Sequence, residues 1–146
     1  MAFKYRYETL LNVRRIRENI AQQTFSQAQR NHLSLLARRG QLESRSTDLG
    51  HDLMNRMKRG INSSEVRGYY EYLSHLKESL EKIEKNIRIS QQHVTLKREK
   101  LLEAKRAHQA VERLKEIHRE RFDALERKAE MNFIDEIAIM RHGGTR

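Results

Sequence analysis

The sequence predicts an all-α protein, a long two-helix antiparallel coiled-coil hairpin. Three observations predict this fold class. The 146 residues include no proline, apolar residues recur every seven positions through the second half of the chain, and a single cluster of turn-forming residues interrupts the middle. A compact globular domain is disfavoured, because only 37% of the residues are hydrophobic while 34% are charged.

The turn between the helices is predicted at residues 59–63. Gly60 can adopt the left-handed conformation that ends a helix. Asn62, followed three residues later by Glu65, has the pattern of an N-cap that opens the next helix. We therefore expect one extended domain over residues 1–146. Its parts are listed in chain order: helix 1 at about 6–58, the turn at 59–63, helix 2 at about 64–140 and a frayed tail at 141–146.

The second helix carries the clearest heptad repeat. Counting by sevens from Val66 gives position a as far as Ala129, and counting from Tyr69 gives position d as far as Leu125. Most of these positions are apolar and the register never shifts, which indicates a left-handed coiled-coil seam. Beyond Glu120 the helix is expected to overhang its partner. The apolar side chains then left without a partner are Phe122, Leu125, Phe133 and Ile134.

The first helix is less regular. An opening set of apolar residues is followed by a second set at intervals of seven, and the step of eight between the sets predicts one shift in register. The opening set is Leu10, Val13, Ile16 and Ile20, and the second is Ala28, Leu35, Leu42 and Leu49. Gly40 and Gly50 lie inside the helix, so its middle is expected to be the least stable part locally.

The sequence gives no sign of catalytic chemistry. Two helices packed side by side offer no enclosed site in which several reactive groups could be held together. The chain has no cysteine, and no two of its seven histidines have the i, i+4 spacing that lets one helix face bind a metal. His108 and His118 fall in the seam, where a polar residue more often sets the register. The protein is therefore predicted not to be an enzyme, and to use no metal or cofactor.

The formal net charge of +10 predicts an acidic partner, which could be nucleic acid, anionic lipid or an acidic protein surface. Basic residues cluster at Arg14, Arg15 and Arg17 and again over 97–106. Acidic residues are interleaved along the second helix and stacking aromatics are missing there, so nucleic acid is disfavoured. No apolar run is long enough to cross a bilayer. An acidic protein surface, or a simply solvated helix face, is the favoured interpretation.

Three tyrosines follow the predicted turn, in Tyr69-Tyr70-Glu71-Tyr72. Tyr69 is a seam residue, whereas Tyr70 and Tyr72 flank the seam. Exposed aromatic side chains of this kind commonly anchor a protein partner. The alternative, which the sequence leaves equally open, is that they pack over Met54 and Met57 of the facing helix.

Three stretches resemble the flagellar export protein FliJ family. Residues 3–14 alternate aromatic and basic residues before an acid and an aliphatic pair. Tyr69-x-x-Tyr72-Leu73-x-x-Leu76 is similar to the family's segment after the turn, and residues 127–138 are similar to its closing pattern around Asp-Glu-x-Ala. The resemblance covers essentially the whole chain. It implies a stalk protein of the bacterial flagellar type III export apparatus, cytoplasmic and peripherally associated with the inner membrane at the flagellar base.

The resemblance also implies partners and contact residues. The partners are the hexameric export ATPase, the cytoplasmic domain of the export gate and export chaperones. The residues expected at the gate are Tyr70, Tyr72, Leu76, Ile83, Leu42 and Leu49. Those expected at the ATPase ring are Phe3, Tyr5, Arg14, Arg15, Arg17, Phe133, Asp135 and Glu136. Two alternatives remain from the sequence: a general scaffolding coiled coil, and the stalk protein of a virulence type III secretion system.

Overall fold

The computed structural model describes residues 2–143 and contains two long helices, with no strand in that range. Helix α1 spans Glu8–Arg59 and helix α2 spans Ser63–Gly143. The two helices contact each other in antiparallel orientation, which confirms the predicted all-α two-helix hairpin.

The helix ends differ slightly from the expected bounds. Helix α1 begins at Glu8 and not near residue 6, because Tyr5 to Tyr7 form a turn whose carbonyls accept the first helical N–H groups: Glu8 N–H donates to Tyr5 O at 3.3 Å and Leu11 N–H to Tyr7 O at 2.9 Å. Helix α2 continues to Gly143, so residues 141–143 are helical and not the expected tail. The rest of that tail lies outside the described residues. The single-domain organisation stays a prediction.

The turn forms as the sequence predicts. Gly60 has a φ of 91°, and no other described residue has a left-handed backbone. The Glu65 N–H donates to Asn62 Oδ1 at 2.8 Å, and the Val66 N–H donates to the Asn62 carbonyl at 3.2 Å. Asn62 is therefore the N-cap of α2, since its side chain satisfies an N–H that the helix leaves without an internal partner.

Residue contacts group the chain into two compact units. The first, called unit 1, joins the N-terminal residues up to Ile20 with the residues from Leu102 onwards; unit 2 is Ala21–Leu101. In unit 2, Arg39 Nη1 donates to Glu84 Oε1 at 3.2 Å and the Tyr69 hydroxyl to Asp52 Oδ2 at 2.7 Å. These contacts define the antiparallel register of that unit.

The seam of α2 confirms the heptad pattern. Every a and d position from Val66 to Phe122 is buried or half-buried, whereas Leu125 and Ala129 are exposed. The buried members are Leu76, Ile83, Ile87, Val94, Leu101 and Val111. The sequence therefore predicted this seam position by position up to Phe122.

The seam of α1 differs from the expected one at its start. Leu10, Val13, Ile16 and Ile20 are all exposed, and the inward face carries Leu11 instead, which is only 1% exposed. The remaining seam positions follow at alternating steps of three and four, without the predicted shift: Arg14, Glu18, Ala21, Phe25, Ala28, His32, Leu35, Arg39, Leu42, Ser46, Leu49 and Leu53. The expected shift was wrong because Arg14 and Glu18 are polar residues that face the seam.

Two glycines allow the turn to be tested against a matched control. An added methyl group would meet open space at both Gly60 and Gly40, but only Gly60 has a positive φ. Gly60→Ala should lower the free energy of unfolding by about 1 kcal/mol because alanine is strained at that φ. Gly40→Ala, inside α1, should raise it by about 0.5–1 kcal/mol. Urea unfolding followed by circular dichroism measures both changes, and a stabilising Gly60→Ala would contradict the assigned turn.

Candidate functional site

The N-terminal segment of unit 1 packs against α2 through aromatic side chains. Tyr5 is 8% exposed and its hydroxyl donates to the Val111 main-chain carbonyl at 3.1 Å. Tyr5, Leu11 and Val111 form a buried cluster with Phe3 packed beside it. Burial raises the pKa of the Tyr5 phenol above its ordinary value of 10.0, with smaller contributions in the same direction from Tyr7 and Glu8. This direction favours the protonated phenol, the form that donates the hydrogen bond to Val111.

A group of rings and cations surrounds Tyr5. Its ring centroid lies 5.6 Å from that of His118, and the Phe3 ring lies 5.5 Å from Phe122. Lys115 Nζ is 5.9 Å from the Tyr5 centroid, and the Arg119 guanidinium is 5.7 Å from that of Phe3. Phe122, which was expected to lack a partner, is therefore packed against Phe3. Two residues expected at the ATPase ring, Phe3 and Tyr5, have intramolecular partners.

A polar layer crosses the seam of unit 1 next to these rings. Glu18 is hydrogen-bonded to His108 Nδ1, while Glu112 Oε1 lies 3.6 Å from the Nε2 of the same ring. The side chains of His108 and Glu18 are 14% and 23% exposed. Arg14 is half-buried beside this layer, and its Nε has no hydrogen-bond partner within residues 2–143. Of the three arginines expected at the ATPase ring, Arg15 and Arg17 are exposed and Arg14 is not.

The outer surface of unit 1 carries exposed apolar residues on both helices. On α1 they are the four residues that were expected in the seam, of which Ile16 and Ile20 are 57% and 56% exposed. The end of α2 exposes Leu125, Met131, Phe133, Ile134, Ile139 and Met140, each at least 62%. Asp135 and Glu136 are exposed on the same stretch. Exposed apolar residues concentrated in this way mark a surface for a protein partner.

The residues expected at the export gate divide into two groups, all within unit 2. Tyr70 and Tyr72 are exposed, whereas Leu76 and Ile83 are each only 5% exposed in the seam. Leu42 and Leu49, on α1, are half-buried at seam positions. Met54 and Met57 are exposed as well. Their exposure does not favour the alternative in which the tyrosines pack over them. Tyr69 instead binds Asp52, and this hydrogen bond, followed by burial, raises the pKa of the Tyr69 phenol.

No group of three histidine, aspartate or glutamate side chains among residues 2–143 could hold a metal. Within the same range, neither helix contains a stretch with the length and apolarity that crossing a bilayer requires.

The fold defines a class, the long helical coiled-coil hairpins. The family model described as "Flagellar FliJ protein" matches residues 3–146. The chain therefore belongs to the flagellar FliJ family, whose members are stalk proteins of the flagellar export apparatus. The searches of curated proteins and of solved structures gave no match.

The contribution of the polar layer can be measured by a double-mutant cycle. Glu18→Leu or His108→Leu alone should lower the free energy of unfolding by about 1–3 kcal/mol, because each leaves a polar group in the seam without its partner. The double variant should recover most of that loss, since two leucines suit the seam.

Urea unfolding of the unaltered chain, the two single variants and the double variant checks this cycle. The exposed pair Arg113 and Glu116, 2.9 Å apart, provides the control, because replacing both by alanine should change the stability by less than about 1 kcal/mol. A double Leu variant that loses the sum of the two single losses would contradict a coupled pair.

Proposed function

We propose that the chain is the stalk that binds the ring of the flagellar export ATPase through unit 1 and the cytoplasmic domain of the export gate through unit 2. In this proposal it also binds export chaperones, and it acts on the cytoplasmic side of the inner membrane at the flagellar base. It performs no catalysis and needs no cofactor. The observation that carries the proposal is the family match over residues 3–146 of a chain folded as a two-helix hairpin.

Contact with the ATPase ring is proposed for the exposed residues of unit 1. Phe133 is 63% exposed, with Asp135 and Glu136 beside it on the same helix. Arg15 and Arg17 are exposed on α1 and supply charge of the opposite sign. The two stretches are separate along unit 1, and each combines exposed apolar and charged residues, a combination that suits a protein interface.

Phe3, Tyr5 and Arg14 have a positioning role in this proposal. Because Tyr5 is buried and hydrogen-bonded to Val111, its contribution is to hold the N-terminal segment against α2. Phe3 packs on Phe122, and Arg14 faces the seam. These three residues therefore support the binding surface, and the ring itself contacts their exposed neighbours.

Contact with the export gate is proposed for Tyr70 and Tyr72. Both side chains are large, aromatic and exposed, the properties of residues that dominate binding energy at protein interfaces. Leu76 and Ile83 are buried in the seam, and we assign them the role of holding α2 against α1 beneath that surface. Leu42 and Leu49 pack from the α1 side.

The flagellar system is favoured over a virulence secretion system because the matching family is the flagellar one. The direct test of the proposal is to mix the protein with the flagellar export ATPase and measure hexamer formation and ATP hydrolysis. Both should rise severalfold, and Phe133→Ala should remove most of the increase. An ATPase whose assembly and turnover are unaffected by the unaltered protein would contradict the proposed ring contact.

Tyr72→Ala tests the gate surface. The dissociation constant for the gate's cytoplasmic domain should rise about fivefold or more, because an exposed aromatic anchor is lost. Helicity and melting temperature should stay unchanged, since Tyr72 lies outside the seam. Isothermal titration calorimetry measures the affinity, and Leu125→Ala, which truncates another exposed residue of α2, is the matched control. Equal affinity for the Tyr72 variant and the unaltered chain would remove Tyr72 from the gate surface.

A further inference from the structure

One part of unit 2 contains cations without any acidic residue. We name it the basic band and define it as residues 25–38 of α1 and 85–98 of α2. Its two stretches face each other: the Arg98 guanidinium lies 5.8 Å from the Phe25 ring centroid at one end, and the Arg39–Glu84 ion pair lies just beyond the other. Between them, His32 Nδ1 contacts Ser90 Oγ at 2.7 Å.

Most of the net charge of the chain lies in this band. It holds six cations and no Asp or Glu, while the whole chain has 30 cations, 20 acids and a formal charge of +10. The six are Arg30, Arg38, Lys85, Arg88, Lys97 and Arg98. Elsewhere along α2, acidic residues alternate with the basic ones. The band is therefore the place where the basic composition becomes a local positive field.

The six cations have no carboxylate partner among the described residues. None of them forms an ion pair within 4.0 Å in residues 2–143, although Arg39, the next cation along α1, pairs with both Glu84 and Glu43. Five of the six are exposed and Lys97 is half-buried. Arg30 donates only to the neutral amide of Gln27, at 3.0 Å. Their positive charge is left for a partner to neutralise.

Aliphatic residues lie among these cations on the outward face of α2. Ile89 is 52% exposed and Leu96 is 46% exposed, and they are seven residues apart, so both lie on one helix face. Lys85 is four residues before Ile89 on that face, and Arg88 is adjacent. Two aliphatic side chains one heptad apart, bordered by cations, form a surface complementary to a partner helix that carries an apolar stripe bordered by carboxylates.

We propose that the basic band is a docking surface for an acidic amphipathic helix of a partner protein. Its apolar stripe would cover Ile89 and Leu96, and its carboxylates would pair with Lys85 and Arg88. A nucleic acid is a poorer match, because the band has no tyrosine or tryptophan on which bases could stack, and its one phenylalanine, Phe25, is half-buried beneath Arg98. The inference does not depend on the ATPase or gate contacts, which involve other residues.

The test uses a synthetic helical peptide in which leucines form one stripe and glutamates fill the other positions. Fluorescence anisotropy at two salt concentrations gives its affinity for the full chain. A scrambled peptide of identical composition keeps the charge but loses the stripe, so it should bind at least fivefold more weakly. Higher salt should weaken binding of the striped peptide.

Two charge-reversal variants of equal net charge locate the binding surface. Lys85→Glu with Arg88→Glu should weaken the striped peptide's binding tenfold or more. Lys105→Glu with Arg106→Glu, two exposed cations of α2 that lie near acidic residues, should weaken it less than threefold. Circular dichroism controls for folding, and Lys85→Ala with Arg88→Ala replaces the first variant if the reversal unfolds the chain. Equal losses in the two regions would overturn the proposal.

Further binding measurements identify the class of ligand. Ile89→Ser with Leu96→Ser should weaken the striped peptide severalfold and leave its salt dependence unchanged, because only the apolar contact is removed. Single-stranded DNA and phosphatidylserine vesicles should bind more weakly than the striped peptide at equal salt. Tighter binding of either one, lost on reversal of Lys85 and Arg88, would replace the acidic helix by a nucleic acid or a membrane and overturn the proposal.

Discussion

Burial of the heptad positions of each helix against the other is the interaction on which the rest of the structure depends. Two packed helices can bury only one stripe each, and the buried residues of the described chain are correspondingly few: Tyr5, Leu11, Leu53, Leu76, Ile83, Ile87, Val94, Leu101 and Val111. Apolar contact of this kind stabilises the pair but is tolerant of sliding. Polar residues in the seam supply the specificity that apolar contact lacks.

Those polar residues form matched pairs in each unit. In unit 2 the Ser90 hydroxyl donates to the Ile87 carbonyl, so its oxygen accepts from His32. In unit 1 the corresponding pair is Glu18 and His108. A helix displaced by one heptad would separate both pairs and lose their hydrogen bonds. The seam thus selects one alignment, and that alignment decides which residues remain on the surface for partners.

How far the sequence predicted the structure depended on the kind of residue in the seam. Helix α2 was predictable because leucine, isoleucine and valine occupy most of its seam positions. The start of α1 was not, because Arg14 and Glu18 resemble solvent-exposed residues while Leu10 and Val13 resemble seam residues. The buried role of Tyr5 could not be foreseen either, since the residue precedes the helix and its partner, Val111, is 106 positions away. Among the expected contact residues, the heptad register did separate Tyr72, which flanks the seam, from Leu76, which falls at a seam position, and the exposure of the two side chains agrees.

Intramolecular cross-linking measures most directly whether the two helices of one chain are each other's partners in this alignment. The chain lacks cysteine, so Arg39→Cys with Glu84→Cys introduces one unique pair, at side chains that form a 3.2 Å ion pair. Ser46→Cys with Glu84→Cys is the control, displaced by one heptad along α1. A short bis-maleimide should close the first pair efficiently within a monomer and the second poorly. Cross-linked dimers, or equal closure of the two pairs, would contradict the account.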